Sequence, residues 1–127
     1  MTSKEINICG KPVTLCYCFA TEICYKVLTD EDINDFISEA LKAINEKHMP
    51  DMKRTLNFIL AGLTAYYESL NKKKKAPVTD TMLLTEMTPD EMCTALGTLI
   101  GLRAEFYHVP SDEPKDKLSK QAEGKNA

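Results

Sequence analysis

The chain has 127 residues, of which 43% are apolar and 28% charged, with a formal net charge of −3. That composition suits one modest core and a single folded domain rather than a disordered chain, and it offers no general attraction to nucleic acid or anionic lipid. No apolar run approaches the about 20 residues of a membrane helix, the first ten residues lack the apolar stretch of a secretory signal, and five cysteines are an odd number for a disulfide scaffold. A soluble, cytoplasmic protein with reduced thiols used as small packing residues is therefore expected.

Residues 5–18 read as a β-hairpin with Gly10-Lys11 as a two-residue type II′ loop. This pairing sets Ile8 against Val13 and Ile6 against Leu15. Alternation then puts Ile6, Ile8, Val13, Leu15 and Tyr17 on one apolar face, and Asn7, Cys9, Thr14, Cys16 and Cys18 on the other. Thr21 is expected to cap a short helix to about Leu28 with Ile23, Cys24, Val27 and Leu28 inward. Thr29 to Asp32 fits a capping box for a second helix, whose apolar row is Ile33, Phe36, Ile37, Ala40, Leu41 and Ile44.

Pro50 opens a third helix to about Leu70, with Met52, Leu56, Ile59, Leu60, Leu63, Tyr67 and Leu70 as its stripe. Gly62 within it costs about 1 kcal/mol relative to Ala and suggests a close helix contact. Residues 71–77, with four consecutive lysines, read as a solvated linker. A short helix is expected over Thr81 to Met87. Thr88-Pro89-Asp90-Glu91 then starts a last helix to about Tyr107, faced by Met92, Leu96, Leu99, Ile100, Arg103, Phe106 and Tyr107. Gly97 and Gly101, four apart, suggest a small-residue groove, internal or between subunits. The charged sequence from Val109 onward reads as a disordered tail. The expected fold class is α+β and mainly α-helical: a two-stranded hairpin packed on four to five helices over residues 1–108, then the tail 109–127.

Catalytic and metal chemistry find no foothold in these patterns. His48 and His108 lack partners at zinc-ligand spacing, and Cys16-Tyr17-Cys18 is neither a zinc ribbon half nor a C-x-x-C redox pair. Asp30 to Asn34 begins like a calcium loop, but the pattern has Asp35 where glycine is needed and Leu41 where a bidentate glutamate is needed. No phosphate loop, dinucleotide fingerprint or nucleophile elbow occurs. No catalytic, cofactor-binding or metal residue is assigned, no cofactor is expected, and the reading is of a protein that is not an enzyme.

The segment from Ile6 to Phe19, with Ile6, Ile8, Gly10, Lys11, Leu15, Tyr17 and Phe19 in order, leads almost directly into a helix. Together with the later helix, proline and acidic helix start from Ala61 to Leu96, it resembles the tail assembly chaperones of long-tailed bacteriophages and prophages. The resemblance spans most of residues 5–107 and is architectural. It implies a non-catalytic role, binding the long helical tape measure protein, recruiting tail tube protein, and production in a short and a frameshifted long form. Candidate partner contacts are Tyr66, Met82, Leu83, Phe106 and Tyr107, which equally suit completion of the core. The competing expectation is a small structural or adaptor subunit acting by homo-oligomerisation. Neither reading involves nucleic acid or membrane.

Overall fold

The computed structural model describes residues 1–70 and 72–108. The tail expected from Val109 lies outside the described residues, as do Asn71 and the side chain of Leu70. Two antiparallel strands, β1 (Thr2–Ile8) and β2 (Lys11–Tyr17), are followed by α1 (Phe19–Thr29), α2 (Ile33–Asn45) and α3 (Met52–Thr64). Helix α3 widens into a π-helical segment, Ala65–Leu70, and the chain continues into α4 (Asp80–Thr85) and α5 (Pro89–Phe106). The architecture is the expected one, α+β and mainly helical.

The hairpin register differs from expectation by two positions. Ile6 pairs with Val13 and Ile8 with Lys11, so the loop is Cys9-Gly10 rather than Gly10-Lys11. Backbone φ is positive at both loop residues, 56° and 73°, as a type I′ turn requires. A two-residue shift keeps every side chain on its face. Ile8, Val13, Leu15 and Tyr17 are therefore still buried together, with Ile6 half-buried, while Cys9 leaves its expected strand position for the loop. The sheet packs on α5, and β2 also meets α3 and the π-helical segment. The Tyr67 hydroxyl accepts the Thr14 N–H at 3.0 Å and so covers the outer edge of β2.

At the centre stand four buried rings. Phe58 lies edge-on to Tyr17, Tyr25 and Phe36, with centroids 6.3, 6.2 and 5.6 Å away, and Tyr25 stacks on Phe36 at 5.8 Å. Such pairs favour edge-on or offset contact because ring edges and faces carry opposite partial charge. Gly62 sits where α3 meets α5: a Cβ there would lie 2.8 Å from Leu99 Cδ2. The close contact expected of Gly62 is thus present. Gly97 and Gly101, by contrast, face open space with nothing within 4 Å of an added Cβ, so they form no internal groove.

Several boundaries differ for local reasons. Helix α1 is capped by Cys18, not Thr21. Thr21 is buried at the third helical position, its hydroxyl accepting the Cys18 N–H at 3.2 Å and donating to the Cys16 carbonyl at 3.0 Å. Thr29 does not cap α2: it ends α1, its hydroxyl donating to the Tyr25 carbonyl and accepting the Glu31 N–H. Asp32 is the cap instead, accepting the Asn34 N–H at 2.7 Å. Asp51, following Pro50, caps α3 by accepting the Arg54 N–H. Among the expected stripe residues, Leu41, Ile44 and Met52 are exposed. The Thr88–Glu91 capping box forms as expected.

Candidate docking face

The phase of α1 is set from two sides. Only Cys18 joins β2 to the helix, and Thr21 ties the helix start to the Cys16 carbonyl of the strand and the Cys18 N–H. Four residues on, Tyr25 enters the ring cluster and donates its hydroxyl to Glu31 at 2.7 Å. With Thr21 and Tyr25 inward, the residues expected inside are turned out. Of these, Ile23 and Val27 are 64% and 79% exposed, Leu28 is also exposed and Cys24 is half-buried; Phe19, which no expectation placed inside, is 61% exposed. The expected inner row of α1 is therefore largely its outer one. Tyrosine wins the inward place because it carries more apolar surface and its hydroxyl finds a carboxylate.

Phe19, Ile23 and Val27 recur every four residues and so form one row on the helix surface, about 12 Å long at 1.5 Å per residue. At the Phe19 end the row is extended by α5. Phe106 packs edge-on to Phe19 with centroids 5.2 Å apart and on Tyr107 at 5.0 Å. Alongside Ile23 and Val27 runs an open cleft of about 370 Å³, lined by these two residues with Glu22, Lys26, Asp32, Ile33 and Asn34. An apolar floor with a charged rim is the usual arrangement of a protein-binding surface.

The rim is held in place by hydrogen bonds. Glu22 Oε2 accepts the hydroxyls of both Tyr17, at 2.8 Å, and Tyr107. Arg103 donates to Asn34 Oδ1 at 2.6 Å and lies over the Tyr107 ring at 5.4 Å, while its Nε is buried with no hydrogen-bond partner among the described residues. Burial, reinforced by Glu22, pushes the Tyr17 hydroxyl well above the ordinary tyrosine range. For Tyr107 the hydrogen bond to Glu22 is the leading cause of a rise in the same direction.

Of the five residues expected to contact a partner, the structure brings two together. Phe106 is half-buried and lies beside Phe19, and Tyr107 is exposed and packs on Phe106. Leu83 is 5% exposed and belongs to the core, which removes it from any surface. Met82 is half-buried, and its carbonyl accepts the Cys9 thiol at 3.5 Å. It stands near the start of α5, about 22 Å along that helix from Phe106. Tyr66 is half-buried and edge-on to Tyr67 at 4.8 Å. The residues missed as surface contacts are Phe19, Ile23 and Val27. Their signal was a surplus: α1 carries Phe19, Ile23, Cys24, Tyr25, Val27 and Leu28, more apolar side chains than one buried face accommodates.

The thiols of Cys16 and Cys18 lie against each other. All five cysteines are free, and the described residues contain no group of three or more histidine, cysteine or acidic side chains placed to hold a metal. Burial pushes Cys16 up to about 12. Burial also raises Cys9, helped by the negative charge of Glu91, and raises Cys24. A nucleophilic cysteine needs the opposite shift. A second cleft, about 650 Å³, has Leu60, Leu63, Tyr67 and Val78 among its walls and the exposed Lys72–Lys75 at its edge. Among the described residues no helix is long and apolar enough to cross a membrane. No protein-family model matches the chain, and neither a curated protein nor a solved structure matches it.

Proposed function

We propose that this chain is a non-catalytic binding protein that covers the apolar stripe of a helical partner, as the tail assembly chaperones it resembles do for a tape measure protein. The observation that carries the reading is the outward row Phe19, Ile23 and Val27 on α1, extended by Phe106 and Tyr107 and flanked by a cleft with a charged rim. A partner helix presenting residues at i, i+4 and i+7 can lay its apolar face against such a row. Burying what Phe19, Ile23 and Val27 leave exposed is worth roughly 3–5 kcal/mol before the cost of association. A single contact of that size is weak. Several copies along one very long helix gain by avidity, which suits a chaperone that must later be released.

The test is co-expression with a helical tape measure protein encoded in the same genome. The chain should raise the soluble fraction of that protein and be recovered with it. Ile23→Asp and Val27→Asp should abolish the effect while leaving helix content and melting temperature near wild type, because both side chains already face solvent. No gain in solubility, or an undiminished gain with the double variant, overturns the reading.

A further inference from the structure

We propose that, with no other partner present, α1 pairs antiparallel with α1 of a second copy of this chain across the row Phe19, Ile23 and Val27. This goes beyond the helical-partner reading and stands whether or not a tape measure protein is the partner. The row is self-complementary in size. A two-fold axis at Ile23 sets Ile23 against its own copy and places Phe19, the largest side chain of the row, opposite Val27, the smallest. It is also self-complementary in charge. Glu22 and Lys26 lie on the same flank of the row, and both line the cleft beside it. In antiparallel pairing like flanks meet, so Glu22 of each copy comes within about 3 Å along the axis of Lys26 of the other. A parallel pair about the same row would bring Phe19 to Phe19 and Val27 to Val27 and lose the size match. The polar rim needs no rearrangement, because the Glu22 oxygen that holds Tyr17 and Tyr107 is Oε2 and leaves Oε1 for Lys26.

A seam made by one 11-residue helix from each copy is small beside the about 1,200 Å² at the low end of stable interfaces, so the pair is a weak, reversible dimer. Such a dimer hides the row in the free protein and yields it to a better-matched helix.

Sedimentation equilibrium of the full chain alone, up to several hundred micromolar, measures the association. A dissociation constant of about 10–100 µM is expected. Ile23→Asp should weaken it by about tenfold or more, and Lys26→Glu, which sets like charges across the seam, by about threefold. Far-UV circular dichroism checks that both variants remain folded. Orientation is read by oxidative cross-linking above the wild-type background. Ile23→Cys should form a covalent dimer by itself, whereas Phe19→Cys and Val27→Cys should cross-link when mixed and not separately. A chain that stays monomeric throughout, a dimer indifferent to Ile23→Asp, or efficient self-cross-linking of Val27→Cys overturns the proposal. Because no tape measure protein is present, failure here is distinct from failure of the chaperone reading.

Discussion

Cys9 holds a backbone conformation, φ 56°, that ordinarily belongs to glycine, asparagine or aspartate. The reason lies 82 positions away. Glu91 Oε1 accepts the N–H groups of Cys9 and Thr88, each at 3.0 Å, and Oε2 accepts that of Gly10 at 3.2 Å. One carboxylate thus closes the capping box of α5 and docks the hairpin loop on the same helix start. These backbone donors hold Glu91 below the usual carboxylate range. Glu91→Ala removes three hydrogen bonds at once and is expected to destabilise the fold by about 1–2 kcal/mol, near the upper end for a lost cap. Urea unfolding measures it. A loss no larger than that of Thr88→Ala would mean that the contact to the hairpin loop contributes nothing.

Among the elements, what reads well from sequence is what local chemistry decides. The Thr88–Glu91 start of α5 and the apolar hairpin face follow from spacing alone, and Gly62 gives a sharper case. Replacing glycine by alanine inside a helix ordinarily gains up to about 1 kcal/mol. At Gly62 the new methyl would meet Leu99 at 2.8 Å in the core, and overpacking costs about 1–3 kcal/mol. Gly62→Ala is therefore expected to lower stability by about 1 kcal/mol, and Gly97→Ala, with open space around it, to raise it by about 0.5–1 kcal/mol. Thermal melts of the two variants should move in opposite directions; a stabilised Gly62→Ala would refute the close contact of α3 and α5. What read poorly was the rotation of α1 and the hairpin register. Both depend on groups outside the element itself: Tyr25 turns inward for Phe36, Phe58 and Glu31, and the loop settles on Glu91. Glu31 lies only six residues beyond Tyr25, but Phe58 and Glu91 stand outside any local window around Ile23 or Cys9. The outward row of α1 is hidden from sequence for the same reason, since hydrophobicity ranks Ile23 and Val27 above Thr21 as core residues, and only the helix phase reverses the order.

At the scale of the whole molecule, two hydrogen-bonded carboxylates on the acid side, and buried thiols and tyrosines on the alkaline side, bound the pH range of the fold. Burial acts to raise Glu31, but Arg54, which grips it with Nε at 3.0 Å and Nη2 at 2.6 Å, and the Tyr25 hydroxyl prevail and hold it low. The same arginine reaches Glu39 on α2 at 2.7 Å and lies over Phe36, so it joins the α1–α2 turn, α2 and α3. Glu31 and Glu91 are depressed in the folded state, so their contribution is present above the unfolded pKa of about 4.3 and is lost as pH falls through the lower folded values. Tyr17 and Tyr25 behave in the opposite sense. Burial first, and then hydrogen bonds to Glu22 and Glu31, raise them above the ordinary range. Their contribution is complete below an unfolded pKa of about 10 and is lost as pH rises beyond it. The raised thiols Cys16, Cys9 and Cys24 act earlier, above an unfolded thiol pKa of about 8.5, so the melting temperature should be nearly level from about pH 5 to 8 and fall on both sides. Glu31→Gln should melt well below wild type at neutral pH, and that gap should close as the solution is acidified below about pH 4. Tyr25→Phe should lose the alkaline drop in part, having no hydroxyl to ionise. A gap between wild type and Glu31→Gln that stays constant down to pH 3 would mean that Arg54 draws no stability from the ionised carboxylate, and that burial of the aliphatic stems alone joins the three elements.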